Sequence, residues 1–151
     1  MRSLEQWLEE YGVSHKNPTN QKIHKVCVPL IEFSLLGILW VLPTPEIFWE
    51  VPFLNWSTIF CFFALLFYIS LKNLRYLVAS TLVMLPMLCL INYLQARFGG
   101  IVIYAYFLIF TLAWIGQFIG HKIEGVKPSF LKDLAFLLIG PLWIMKSLLK
   151  D

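Results

Sequence analysis

The sequence contains few charged residues for its length. Charged residues make up 14% of the 151 positions and hydrophobic residues make up 59%, whereas soluble domains average about 25% charged and 45–50% apolar. The basic residues are scattered along the chain, and the net charge is only +3, which argues against a nucleic-acid-binding surface. This composition is typical of an integral membrane protein.

The sequence also has few cysteines and no recognisable secretory signal. Cys27, Cys61 and Cys89 are odd in number and lie within apolar blocks, so we expect reduced, buried side chains rather than a disulfide or a metal set. The first 25 residues are polar and lack an apolar signal core. We therefore interpret residues 1–25 as a cytoplasmic or interfacial segment and 26–149 as the helical membrane region of one domain, 1–151.

Long apolar blocks occupy most of this membrane region. Four of them approach the ~20 residues needed to cross a bilayer, at 26–43, 55–71, 77–94 and 101–119. Loops rich in Lys and Arg alternate along the chain with loops poor in them, which predicts four crossings with a cytoplasmic N-terminus. A fifth block, 130–149, contains Gly140-Pro141, and its basic end favours a segment that dips into the membrane and returns. The predicted fold is an all-α, polytopic integral membrane bundle of four to five embedded helices.

A short amphipathic helix precedes these blocks. Ser3 and Gln6 have the spacing of a capping box, and Gly12 is a natural stop for the helix. Its apolar face consists of Leu4, Trp7, Leu8 and Tyr11. This face either lies at the membrane surface or packs against the rest of the protein.

The three histidines occur in two polar segments that the charge pattern places on the same side of the membrane. His15 and His24 lie in VSHKNPTNQKIHK, residues 13–25, and His121 lies in WIGQFIGHKIEG. On a helix, Trp114, Gln117, His121 and Glu124 form one stripe. Gly116 and Gly120 lie on another face, where they allow a neighbouring helix to approach closely.

Two starting points are open for the helix that carries His24. Asn17 can cap it with Pro18 in the first position, which puts His24 about 10 Å along the axis, too far for His15 to share an ion with it easily. Alternatively, residues 17–20 form a turn and Asn20 is the cap. We favour the second start, because it lets His15 fold back to meet His24.

Three segments carry a resemblance to a known family: SHKNPTNQKIHKVCVPLI (14–31), WIGQFIGHKIEGVKPSF (114–130) and IGPLW (139–143). Together they resemble the signatures of the Mpo1-like family of 2-hydroxy fatty acid dioxygenases. The resemblance implies a membrane enzyme that uses Fe²⁺ and O₂ to cleave the C1–C2 bond of a 2-hydroxy long-chain fatty acid, with His15, His24 and His121 as catalytic metal ligands. The family signature has two adjacent histidines where this chain has His15-Lys16. Either the second histidine is not a ligand, or another group such as Glu124 completes the shell.

A 2-hydroxy acid can chelate iron through its carboxylate and hydroxyl, and polar side chains in or near the histidine segments are candidates to surround it. We expect substrate or outer-shell roles for Lys16, Asn20, Lys25, Glu32 and Gln117. The expected partners are the 2-hydroxy fatty acid, O₂, membrane lipid and a second copy in a homo-oligomer, with no nucleic acid. The expected location is the bacterial inner membrane, or the endoplasmic reticulum of a eukaryote, with the histidine site facing the cytoplasm. The alternative function is a non-catalytic membrane scaffold or small transporter.

Overall fold

The computed structural model describes the backbone of residues 2–125 and 130–149 and the side chains of residues 2–125 and 136–147. All regular secondary structure in these ranges is helical, which confirms the all-α prediction. The helices are α1 (Leu4–Val13), α2 (Pro18–Val41), α3 (Trp56–Ser70), α4 (Leu74–Phe98), α5 (Val102–Glu124) and α6 (Phe130–Leu149), with 3₁₀ turns at Glu46–Glu50 and Gly99–Ile101.

The capping box predicted at the start of α1 is present. The Ser3 hydroxyl accepts from the Gln6 backbone N–H at 3.3 Å, and the Gln6 side chain accepts from the Ser3 N–H at 2.9 Å. The predicted stop at Gly12 is wrong, because α1 continues to Val13. A Cβ at Gly12 would lie 3.7 Å from the indole nitrogen of Trp143 on α6, an ordinary van der Waals distance.

The apolar face of α1 packs against α6. Tyr11 is buried and contacts Phe136 and Trp143, with ring centroids 5.2 and 5.6 Å apart. Trp7 also contacts Phe136, edge to face at 6.5 Å. Of the two readings of this face, the structure therefore shows the one in which it packs on the protein.

The last apolar block forms one continuous helix, α6, with Pro141 inside it. Because α6 does not reverse direction at Gly140-Pro141, the prediction that this block dips and returns is wrong. Gly140 serves helix packing: a Cβ at this position would lie 3.2 Å from both the Tyr11 hydroxyl and a Val28 methyl group. A crossing of the membrane by α6 stays a prediction.

The chain forms two compact units, one made of Met1–Glu32 with Thr111–Asp151 and the other of Phe33–Phe110. All the residues predicted for the functional site belong to the first unit. In the second, α3 pairs with α4, and the ring of Tyr106 would lie 2.6 Å from a Cβ at Gly37, so glycine is required there. The single-domain assignment stays a prediction.

The three cysteines are free, but they do not share one environment. Cys61 is buried as predicted, whereas Cys27 is half-buried and Cys89 is exposed. The prediction of uniform burial is therefore wrong for Cys27 and Cys89. Cys89 lies on an α4 surface that also exposes Leu85 and Leu90, so its surroundings are still apolar.

Within the residues that the structure describes, two helical stretches are long and apolar enough to cross a membrane: Pro18–Val41, and Leu74–Glu124, which comprises α4 and α5. Many large apolar side chains are also exposed on α3, α4 and α5, among them Phe62, Phe63, Leu82, Tyr104 and Leu108. Apolar surfaces of this extent are typical of proteins that contact lipid. The fold is thus compatible with membrane association, and the number of crossings, their orientation and the compartment stay predictions.

Candidate metal centre

The structure brings the three histidines together, although they come from three different segments. His15 lies in the turn between α1 and α2, His24 lies on α2, and His121 lies on α5. One potential ligand atom from each imidazole lies within 4.8 Å of the others. The ring centroids are 4.3 Å apart for His15 and His24, 5.4 Å for His15 and His121, and 5.0 Å for His24 and His121.

Two of the imidazoles are held in the same way by the backbone. Nδ1 of His15 lies 2.6 Å from the Tyr11 carbonyl oxygen, and Nδ1 of His24 lies 3.0 Å from the Asn20 carbonyl oxygen. A carbonyl oxygen can only accept, so each Nδ1 carries the proton and donates it. In the neutral ring, Nε2 then carries a lone pair, as metal-ligating histidines require.

These Nε2 atoms are buried and have no hydrogen-bond partner of acceptable geometry among the described residues. His15 is 4% exposed and His24 is 1% exposed. Burial, opposed by the hydrogen bond to Tyr11, lowers the pKa of His15 to about 4, so this ring is neutral at physiological pH. A buried acceptor without a partner costs about 1–3 kcal/mol, and a bound cation would remove this cost.

The donor set fits a divalent transition metal. Imidazole nitrogens bind zinc at about 2.1 Å, so ligand atoms on one tetrahedral ion lie about 3.4 Å apart. The present separations, which are all within 4.8 Å, therefore have to close by up to about 1.4 Å. Imidazole ligands suit iron, copper, nickel and zinc.

The helix that carries His24 begins earlier than predicted. It starts at Pro18, and the Asn17 side chain caps it by accepting from the backbone N–H groups of Thr19 at 2.9 Å and Asn20 at 3.4 Å. The favoured prediction, with Asn20 as the cap, is wrong. Proline in the first position of this helix has the preferred backbone angle and lacks an N–H that would otherwise need a partner.

His15 reaches His24 even with this early start, because the turn before α2 folds back along the helix. The Asn20 side chain donates to the Ser14 carbonyl at 3.1 Å, and the Gln21 side chain donates to the His15 carbonyl at 2.8 Å. Two polar side chains of α2 thus hold the backbone of residues 14–15 against the helix. The expectation that the early start would separate His15 from His24 is therefore wrong.

Glu124 lies outside the group of three imidazoles and binds the same turn. Its carboxylate accepts from the backbone N–H of Lys16 at 2.8 Å, from that of Asn17 at 2.9 Å, and from the Asn20 side chain at 2.9 Å. In this structure Glu124 therefore joins the end of α5 to the start of α2. Its assignment as a metal ligand stays a prediction.

Gly116 and Gly120 allow α5 to approach α2 closely, as their spacing predicts. A Cβ at Gly116 would lie 2.6 Å from Sγ of Cys27. A Cβ at Gly120 would overlap Oδ1 of Asn20 and lie 3.2 Å from Cε1 of His24. The absence of a side chain at Gly120 is thus a condition for bringing His24 next to His121.

Aromatic rings cover one side of the imidazole group, a feature that was not predicted. Tyr11 stacks on His15 with a centroid distance of 4.1 Å and an interplanar angle of 4°, and Trp143 lies 5.3 Å from His15. A signal for Tyr11 was available, because it precedes His15 by four residues just as Asn20 precedes His24. For Trp143, no sequence feature points to this contact.

The remaining predicted site residues are distributed unevenly. Gln117 is 7% exposed and lies beside His24, with which its side chain interacts. The side chains of Lys16 and Lys25 are exposed. Glu32 is two helical turns beyond His24, roughly 12 Å along the axis, and does not belong to the imidazole group.

Of the comparisons with known proteins, the one with protein families agrees with the sequence resemblance. No curated protein and no solved structure matches the chain. The family model described as "2-hydroxy-palmitic acid dioxygenase Mpo1-like" matches residues 1–151, the whole chain. The protein that carries this group of three imidazoles therefore belongs to the Mpo1-like family.

Proposed function

We propose that this protein is an iron-dependent dioxygenase that shortens 2-hydroxy long-chain fatty acids by one carbon. The observation that carries the proposal is the convergence of three imidazoles, two of whose Nε2 atoms are buried without a hydrogen-bond partner of acceptable geometry in the part of the chain that the structure describes, in a chain of a family described as a 2-hydroxy-palmitic acid dioxygenase.

His15, His24 and His121 would hold the metal. When bound, iron would supply the redox chemistry between substrate and O₂. The carbonyl groups of Tyr11 and Asn20 orient two of the ligand rings. Three protein ligands would leave further positions of the metal open to the substrate.

The overall reaction balances without a further reductant. Cleavage of the C1–C2 bond oxidises C2 to the carboxyl carbon of the shortened acid and releases C1 as CO₂. These two changes remove four electrons, which reduce one O₂, so that the products are the shortened acid, CO₂ and water. No other electron donor is needed.

The surroundings of the imidazoles suit an amphipathic substrate. Tyr11 and Trp143 shield His15 from water, which strengthens electrostatic interactions at the site. The exposed ammonium groups of Lys16 and Lys25 would attract the ionised carboxylate during approach. The acyl chain would remain along the apolar helices or in the surrounding lipid.

Reconstitution with defined substrates tests the proposal. Detergent-purified protein is stripped of metal, loaded with Fe²⁺ without oxygen, and then mixed with 2-hydroxyhexadecanoic acid and O₂. Mass spectrometry should detect pentadecanoic acid with an equimolar amount of CO₂, and hexadecanoic acid should remain unchanged.

Two variants sharpen this assay. His24→Ala should lose most of the bound iron and the product, whereas Lys122→Ala, which removes an exposed side chain next to His121, should retain both. Iron-loaded protein that leaves the hydroxy acid intact would contradict the proposal. Protein that binds no metal at all would favour the scaffold or transporter alternative.

A further inference from the structure

The carboxylate of Glu124 connects the three segments that carry the histidines. We propose that Glu124 is a positioning residue, which holds the three imidazoles at the spacing that binds the ion without itself binding it. The inference rests on the proposed metal centre, and it assigns a different role to Glu124 from that of a ligand.

The first connection leads to His15. Oε1 of Glu124 accepts from the Lys16 N–H at 2.8 Å, and Oε2 accepts from the Asn17 N–H at 2.9 Å. These two peptide groups directly follow His15 in the chain. The backbone beside His15 is therefore bound to the end of α5.

The second connection leads to His24 through Asn20. Oε2 of Glu124 accepts from the Asn20 side chain at 2.9 Å, and the same amide group donates to the Ser14 carbonyl at 3.1 Å. The Asn20 carbonyl accepts from Nδ1 of His24 at 3.0 Å. Asn20 is fully buried, so its position is determined by these contacts.

The third connection is along α5 itself. Glu124 follows His121 by three residues, which places the two side chains on the same face of the helix. The carboxylate thus has a covalent route to one ligand and hydrogen-bonded routes to the other two.

The contacts of Glu124 favour positioning over ligation. Its oxygens accept from three donors, and charge-assisted hydrogen bonds of this kind are stronger than neutral ones. Two of the donors are backbone N–H groups at the start of α2, where the helix dipole favours a negative charge. The carboxylate also lies outside the group of ligand atoms within 4.8 Å of one another.

The test measures two properties of each variant, its metal affinity and the identity of the donor atoms that bind the metal. Co²⁺ binding is measured in the absence of substrate by competition with a chromophoric chelator, and the visible absorption bands of the Co²⁺ protein report its donor atoms. In Glu124→Gln, either orientation of the new amide turns its NH₂ group toward an N–H donor, that of Asn20 or that of Lys16, so at least one connection is broken with little change in volume. We expect Co²⁺ affinity to fall about 10- to 100-fold, as for other partners that orient metal ligands, while the absorption bands keep their positions.

Matched variants provide the references. Glu9→Gln neutralises an exposed carboxylate on α1 and should bind Co²⁺ like the unmodified protein. His24→Ala shows the band shift that the loss of a real ligand produces. Asn20→Ala should weaken Co²⁺ binding as Glu124→Gln does. In the double variant, the fold-loss of Co²⁺ affinity should be smaller than the product of the two single fold-losses, because both residues act through one hydrogen-bond network.

Two results would overturn the inference. One is unchanged Co²⁺ affinity in Glu124→Gln or, if that variant does not fold, in Asn20→Ala. The other is a band shift in Glu124→Gln like that of His24→Ala, which would make Glu124 a ligand. Failure of the dioxygenase assay with normal Co²⁺ binding would instead count against the proposed function alone.

Discussion

Replacing Gly120 with alanine tests whether the close packing of α2 and α5 creates the metal centre. The new methyl group would overlap Oδ1 of Asn20 and lie 3.2 and 3.3 Å from Cε1 and Nδ1 of His24. Asn20 cannot swing aside, because its amide group is bound to the Ser14 carbonyl and to Glu124. Either the two helices separate or the imidazole of His24 tilts away from the centre.

The effect on stability should be modest and the effect on metal binding large. Overpacking of a core costs about 1–3 kcal/mol, while alanine is favoured over glycine inside a helix by about 1 kcal/mol. The net loss of unfolding free energy for Gly120→Ala should therefore be roughly 0–2 kcal/mol. A displaced His24 should lower Co²⁺ affinity about 10- to 100-fold, the range known for groups that orient metal ligands.

Gly116→Ala is the matched control, one turn earlier on the same helix. A Cβ at Gly116 would lie 2.6 Å from Sγ of Cys27 and has no imidazole among its nearest neighbours. Gly116→Ala should lower the thermal unfolding temperature to a similar degree and leave Co²⁺ affinity within about threefold. A second change, Cys27→Ala, should restore the unfolding temperature, because it removes the sulfur atom that the new methyl group meets. Equal Co²⁺ affinities for Gly116→Ala and Gly120→Ala would refute the reasoning.

Two further predictions concern the folding of the first compact unit. Tyr11→Ala removes a buried ring that contacts Phe136, Trp143 and His15, and it should cost about 3–5 kcal/mol of unfolding free energy in detergent. Tyr11→Phe should stay much closer to the unmodified protein. A cost below about 1 kcal/mol for Tyr11→Ala would show that α1 is not packed on α6 as described. The metal-free protein should lose stability as pH falls from about 6.5 to about 4, because burial lowers the folded-state pKa of His15 to about 4 and the unfolded chain, with a histidine pKa of about 6.5, then binds protons more strongly. His15→Gln should flatten this pH dependence in unfolding experiments, and an unchanged slope would contradict the assignment to His15.

Several local features could be predicted because they depend on neighbours along the chain. The capping box of Ser3 and Gln6 needs only a short polar pattern before an apolar run, and it is present. The apolar blocks and the spacing of Gly116 and Gly120 likewise predict helices and a close helix contact without knowledge of the partner.

Other features could not be predicted, because they depend on groups far apart in the chain. Asn17 and Asn20 are both good caps, and the choice of Asn17 leaves the Asn20 side chain free to bind Ser14 and Glu124. Glu124 is expected as a ligand because carboxylates often accompany imidazoles at metal sites, and this assignment stays a prediction. Its hydrogen bonds to Lys16 and Asn17 span more than 100 residues, and no sequence spacing indicates them.

The sequence by itself determined the helices, their apolar faces and the presence of three imidazoles in polar segments. Only the tertiary structure decided that these imidazoles meet, which Nδ1 protons point to carbonyl groups, and which polar side chains hold the turn at His15. The physical reason is range: caps and periodicity act within one or two helical turns, whereas the distances between His15, His24 and His121 are set by packing at glycines and by hydrogen bonds between separate helices.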